Sequence, residues 1–148
     1  MTEAHRMLAS PRKRATILLV EDDAVDIQSF RRAMTRTGMK NQLVIANDGV
    51  EALERLRGET SCVSKPYLIV LDLNLPRMSG IELLRELRND ENLQDSVVFV
   101  LTTSCAEGDK LQAYHLNVAG YIVKSEPNDE LVSAANLLHQ YHQVVELP

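Results

Sequence analysis

Four short apolar runs in this chain each end in a side chain suited to phosphoryl chemistry. Residues 67–71 end in Asp72, and residues 16–20 end in Glu21 and Asp22. Residues 97–101 end in Thr102, and residues 121–123 end in Lys124. If the runs are parallel strands, their carboxyl ends share one edge of a sheet, where ligand crevices form. Three carboxylates, a hydroxyl and an ammonium would then converge. Two carboxylates roughly 4 Å apart repel by about 4 kcal/mol at an effective dielectric of about 20, so such a cluster calls for a cation. Mg²⁺, which binds through carboxylates and retained waters, is the natural one. The set suits a divalent metal beside a phosphoryl group.

The elements that must position these residues alternate strictly. Apolar blocks of a few residues, at 16–20, 43–45, 67–71, 96–101 and 120–123, are separated by amphipathic stretches. That alternation predicts βαβ units around a parallel sheet. A helix over 24–37 has Ile27, Phe30 and Met34 on one face, with Gly38 placed to stop it. A second, capped by Asn47, runs to Gly58; a third, 79–89, turns Leu83, Leu84 and Leu87 inward. A fourth, over about 106–116, has Leu111 and Tyr114 three apart, and the last starts after Pro127. The fold class is therefore α/β, a doubly wound five-stranded parallel sheet; right-handed crossovers and the short chain favour the strand order 2-1-3-4-5, the flavodoxin-like one.

Composition narrows the function classes. The 148 residues make one domain, and 45% hydrophobic with 25% charged residues is ordinary for a globular protein. A net charge of −5 argues against nucleic acid as the main partner. The charge is uneven: residues 1–14 carry net +3, leaving −8 on the rest, and we read them as a flexible basic tail. No stretch has signal-peptide or membrane-spanning character. Cys62 and Cys105 are too few and too far apart for a disulfide framework or a metal site. Cytoplasmic residence is expected.

The chain resembles the CheY-like receiver domains of two-component response regulators. The resemblance is carried by Ile17-Leu18-Leu19-Val20-Glu21-Asp22-Asp23, by Leu71-Asp72-Leu73-Asn74-Leu75-Pro76 with Ser79-Gly80, by Leu101-Thr102-Thr103-Ser104, and by Gly120-Tyr121-Ile122-Val123-Lys124. It covers about residues 15–140, with 141–148 as an extension. It implies that Asp72 is the phosphoacceptor, served by a histidine kinase. It assigns Mg²⁺ to Asp22, Asp72 and the backbone carbonyl of Asn74, with Glu21 acting through water. Lys124 and Thr102 would contact the phosphoryl group. Thr102 and Tyr121 would form the switch that reshapes the face of the fourth helix, fifth strand and fifth helix. Asn74 and Ser104 would modulate hydrolysis of the acyl phosphate. Asp23 reads instead as an acid at a helix start.

One departure stands out. The family usually has proline after the lysine, joined by a cis bond, and here Ser125 follows Lys124. A non-proline cis bond costs about 2.5–4 kcal/mol. The bond is either trans with a rearranged loop or cis; because the aim of Lys124 depends on it, cis is expected. The C-terminal stretch carries Tyr141, Val144, Val145 and Leu147, which either lie on their own domain or form an arm that pairs two copies as a homodimer. The long last helix and Leu-Pro ending resemble single-domain regulators of bacterial phytochrome histidine kinases. With no room for a DNA-binding output domain, output is expected through an unidentified downstream protein, and the chain acts as a switch that phosphorylates and dephosphorylates itself rather than an enzyme.

Two other readings exist. Haloacid-dehalogenase-type phosphatases also use an aspartyl phosphate, magnesium, a hydroxyl and a lysine, but place the nucleophile on the first strand with a second Asp two residues later. Here the candidate is on the third strand, and position 74 is Asn. A receiver-like module that is never phosphorylated would lack a site residue, and none is lacking.

Overall fold

The structure, a computed structural model, describes residues 14–58, 63–124 and 129–148. Among these, the apolar runs form five parallel strands: β1 (Thr16–Val20), β2 (Leu43–Ala46), β3 (Tyr67–Leu71), β4 (Val98–Thr102) and β5 (Gly120–Val123). Between and after them lie α1 (Ala24–Arg36), α2 (Gly49–Leu56), α3 (Gly80–Asn89), α4 (Glu107–His115) and α5 (Asp129–Val144). The strand order is β2-β1-β3-β4-β5, the order expected.

β3 and β4 are buried at every position, because helices cover both faces of a parallel sheet. Alternate residues of each strand serve opposite cores. Ile17, Leu19, Leu68 and Val70 pack with Phe30 of α1 and Leu138 of α5. Leu18, Val20, Ile69 and Leu71 pack with Leu53 of α2 and Leu83 and Leu87 of α3.

Short capping signals start three helices almost as soon as a strand or loop ends. Asp23 caps α1, accepting from the amides of Val25 at 2.8 Å and Asp26 at 3.1 Å; its role as a helix start holds. Ser79 caps α3 through the amide of Glu82 at 3.2 Å. Thr37 and then Gly38, at φ +76°, end α1.

Two expectations need correction. The cap of α2 is Asp48, whose carboxylate accepts from the amide of Glu51 at 2.9 Å, and not Asn47. The fourth strand is Val98–Thr102, so Thr102 belongs to the strand, and Ser96 instead bonds the hydroxyl of Tyr67 at 2.6 Å. Leu111 and Tyr114 point outward, 57% and 49% exposed, and the buried residue of α4 is Ala113. An i, i+3 pair marks a stripe on a helix but not which side the stripe faces.

α5 continues without a break through Val144. Tyr141 packs edge-on against Phe99, ring centres 5.1 Å apart. Leu147 also packs on the domain, whereas Val144 is 78% exposed. The basic residues 1–13 and the Lys124–Ser125 bond lie outside the described residues.

Candidate functional site

Sheet register assembles the site. The order of strands reverses direction at β1 and β3, which opens a crevice beyond their carboxyl ends. Val20 pairs with Leu71, so Glu21 and Asp72 are the next residues on adjacent strands. The amide of Asp72 donates to the Val20 carbonyl at 3.1 Å. On the far side Thr102 pairs with Val123, and the amide of Lys124 donates to the Thr102 carbonyl at 2.7 Å. The chain leaves β3 under tight constraint: a Cβ on Gly80 would lie 2.6 Å from the carbonyl oxygen of Asp72 and from Cα of Leu73. Only glycine lets α3 start this close to the residue that carries the carboxylate.

Glu21, Asp22 and Asp72 each offer a carboxylate oxygen within 4.8 Å of the others. Glu21 and Asp72 are buried and Asp22 is exposed. The ammonium of Lys124, 7% exposed, reaches into this group. It lies 2.8 Å from Glu21 Oε2, 2.9 Å from Asp26 Oδ2 and 3.6 Å from Asp72 Oδ2. Burial pushes the Glu21 carboxyl up to about 7, with Asp72 adding to the rise and the hydrogen bond from Lys124 opposing it. Burial also disfavours the charge on Lys124, but the hydrogen bonds to Asp26 and Glu21 outweigh it and hold the ammonium above the ordinary lysine range.

The donor set fits a divalent cation. Several anionic oxygens converge, and one buried carboxyl is held so reluctantly charged that it accepts a proton near neutrality; hard oxygen donors of this kind are what Mg²⁺ or Mn²⁺ takes. Asp22 and Asp72, with Glu21 beside them, are the residues able to hold such an ion.

The remaining expected residues divide. The amide of Asn74 donates to Asp72 Oδ1 at 3.2 Å, while its side chain faces solvent. Thr102 is fully buried at the end of β4, its hydroxyl accepting from the amide of Ser104 at 3.3 Å. Tyr121 is not in the carboxylate cluster. Its hydroxyl donates to the Ser104 carbonyl at 2.8 Å, and burial raises its pKa. Ser104 in turn donates to Asp109 of α4 at 2.6 Å. The loop after β4 therefore touches Thr102 on one side and Tyr121 on the other.

Sequence reasoning missed Asp26, which shares Lys124 with Glu21. The available signal was its place one turn beyond Asp22, where α1 returns a side chain toward the strand ends. Arg77, which binds Asp48 at 2.7 Å, was also missed; nothing local marks a partner 29 positions away.

Comparison with known proteins places these features in a family. The response regulator receiver domain matches residues 17–136. The response regulator Rcp1 of Synechocystis is 35% identical over 135 residues, 89% of this chain and 92% of that one. The solved structure of a phosphorylated cyanobacterial phytochrome response regulator, RcpA, superposes with a TM-score of 0.82 at 35% identity, covering 92% of this chain and 99% of that one. The Mn²⁺-bound form of Rcp1 gives 0.80 at 34% identity, covering 90% and 99%. These similarities lend no support to the dehalogenase-type alternative.

Proposed function

The chain belongs to the response regulator receiver family, and on that premise we propose that it is a phosphorylation switch with Asp72 as phosphoacceptor. An oxygen of Asp72 forms the new bond to phosphorus as the bond to a phosphohistidine nitrogen breaks and the imidazole leaves with the electron pair. Water later cleaves the acyl phosphate, returning the carboxylate and releasing inorganic phosphate.

The observation that carries this reading is the position of Lys124. An ammonium from the end of β5 sits 3.6 Å from an acid at the end of β3. An isolated carboxylate is a poor nucleophile toward an anionic phosphoryl group unless charge is neutralised on more than one side. Lys124 supplies a point charge on one side, and the Thr102 hydroxyl a donor to a phosphoryl oxygen. Mg²⁺, held by Asp22, Asp72 and the Asn74 carbonyl with Glu21 through water, would neutralise charge on the transferring group. The Asn74 amide, already bonded to Asp72 Oδ1, keeps the carboxylate oriented.

Phosphorylation adds close to two negative charges and strong acceptors. Thr102 is drawn toward them, and Tyr121 and the Ser104 loop follow. The surface affected includes Leu111, Tyr114 and Val123, all exposed large hydrophobics, a face suited to a protein partner. The similarity to a cyanobacterial phytochrome regulator supports a bacterial phytochrome as the histidine kinase. Leu137 and Val144, seven apart on one stripe of α5 and both exposed, support pairing with a second copy. Sedimentation of the full chain and of one ending at residue 140 tests that pairing.

The central test is phosphotransfer from autophosphorylated histidine kinases, with Mg²⁺ or EDTA, to the native chain and to Asp72→Asn. Label on the native chain with Mg²⁺ alone is the expected result. Label on Asp72→Asn, or none on the native chain from any phytochrome kinase, would overturn the reading.

A further inference from the structure

The loop from Leu73 to Ser79 carries the residue that touches Asp72, and it is fastened at its far end to α2. Arg77 Nε donates to Asp48 Oδ2 at 2.7 Å. Asp48 is buried, its side chain 7% exposed, whereas that of Arg77 is 61% exposed. The other oxygen of Asp48 caps α2 through the amide of Glu51, so both carboxylate oxygens are committed. The hydrogen bond from Arg77 is the main cause that holds the Asp48 carboxyl below its usual range.

Backbone geometry shows that this contact is more than a surface ion pair. Arg77 has φ +59°, a left-handed conformation uncommon for a residue with a side chain. The adjacent Met78 closes a tight turn, its amide 2.6 Å from the Pro76 carbonyl. Met78 lies so close to α2 that a Cβ on Gly49 would be 2.8 Å from its Cγ and Sδ. Consecutive residues therefore interlock, Asp48 with Arg77 and Gly49 with Met78. At the other end of the loop the Asn74 amide meets Asp72 Oδ1.

We infer that Arg77 and Asp48 are positioning residues: their clasp fixes the loop so that Asn74 is presented to Asp72, and thereby tunes the cation affinity of the site. The second half rests on the cation-dependent reading above; the first half does not. An exposed ion pair of no consequence is the competing account, since such pairs contribute roughly 0–1 kcal/mol.

The experiment compares the full-length native chain with Arg77→Ala, Arg77→Lys and Asp48→Asn, the last retaining an acceptor for the α2 cap. Hydrogen exchange is followed in EDTA at the amides of Asn74 and Met78, with the amides of β1 and β3 as an internal reference. Mg²⁺ affinity is measured separately by calorimetry. Arg77→Ala and Asp48→Asn are expected to speed exchange at Asn74 and Met78 while β1 and β3 keep their native rates. They are also expected to weaken Mg²⁺ binding about tenfold, the lower end for partners that orient ligands. Arg77→Lys should recover part of both. Native exchange and native affinity in Arg77→Ala would overturn the inference, as would acceleration spread evenly through the sheet. If the native chain binds no Mg²⁺, the proposed function fails, and the exchange rates alone decide whether the clasp holds the loop.

Discussion

The ammonium of Lys124 lies 2.8 Å from the Glu21 carboxylate and 3.6 Å from that of Asp72. One cation thus serves two buried acids on neighbouring strands, with Asp26 as a third partner at 2.9 Å. Replacing it by an uncharged side chain of similar length leaves those acids facing each other. Lys124→Met is expected to lower stability in EDTA by about 1–3 kcal/mol, the range for losing one partner of a buried charged hydrogen bond. Saturating Mg²⁺ should narrow the gap, because a cation that binds only the folded state stabilises it by mass action. Urea titrations with and without Mg²⁺ give both numbers. Phosphotransfer should fall by about 10²-fold, as when one preorganised electrostatic contact is lost. An equal stability loss in both buffers would contradict this view of the cluster.

The same acids predict a pH dependence of opposite sign to that of an ordinary ion-paired carboxylate. The Glu21 carboxyl is raised from 4.5 to about 7 by burial and by Asp72. In EDTA the folded state therefore holds a proton that the unfolded chain has released over that window. This contribution is fully present below pH 4.5 and is lost as pH rises through about 7. Asp48 behaves in the reverse way: its depressed carboxyl favours folding above its ordinary range, and that contribution disappears as acid protonates it. The Glu21 part is isolated by subtracting the urea-derived stability of Glu21→Gln from that of the native chain. The difference should change with pH by up to about 1.4 kcal/mol per unit inside the window, and stay flat above it. Mg²⁺ affinity should also weaken below about pH 7 in the native chain, because proton and cation compete for Glu21.

Gly80 yields a steric prediction about the same carboxylate. The 2.6 Å approach of a Cβ to the Asp72 carbonyl and Leu73 Cα is to backbone, which cannot rotate away as a flexible side chain would. Gly80→Ala should destabilise the domain by about 1–3 kcal/mol, the usual range for overpacking. It should also slow phosphotransfer beyond what the lost folded fraction explains, because relief of the clash moves Asp72. Far-ultraviolet circular dichroism melts and transfer rates at a temperature where both proteins are folded separate the two effects.

The strands and the starts of α1 and α3 were legible because their signals are local: a run of apolar residues, then an acid or a serine at a fixed offset. The side chains that meet at the crevice were legible for the same reason: Glu21, Asp72 and Lys124 directly follow strands and Thr102 ends one. Relationships across the fold were not legible. Asp26 meets Lys124 across 98 positions and Arg77 meets Asp48 across 29; in the sequence each looks like a solvated surface charge. Asn47 and Asp48 are both good caps, and only the observed bond to the Glu51 amide decides between them. The outward stripe of Leu111 and Tyr114 was legible as a stripe, but its direction depends on what the rest of α4 packs against.

Arg88 is a further residue of this kind, and its geometry makes a conservative substitution costly. Its guanidinium donates to four backbone carbonyls: Leu116 at 2.7 Å, Gln94 at 2.9 Å, Ser96 at 2.7 Å and Asn117 at 3.0 Å. It thereby ties α3 to the entries of β4 and β5. Burial lowers its pKa, yet arginine remains charged at any working pH. Lysine has the charge without the planar fork and cannot reach acceptors spread over two loops. Arg88→Lys should therefore cost about 1–3 kcal/mol in urea denaturation, chiefly from carbonyls left without a donor. Because the damage lies at the opposite end of the strands from Asp72, Mg²⁺ affinity should remain native where the variant is fully folded. Equal stability of Arg88→Lys and the native chain would show that water replaces the guanidinium at all four carbonyls. A loss of Mg²⁺ affinity would show instead that the two ends of the sheet are mechanically coupled.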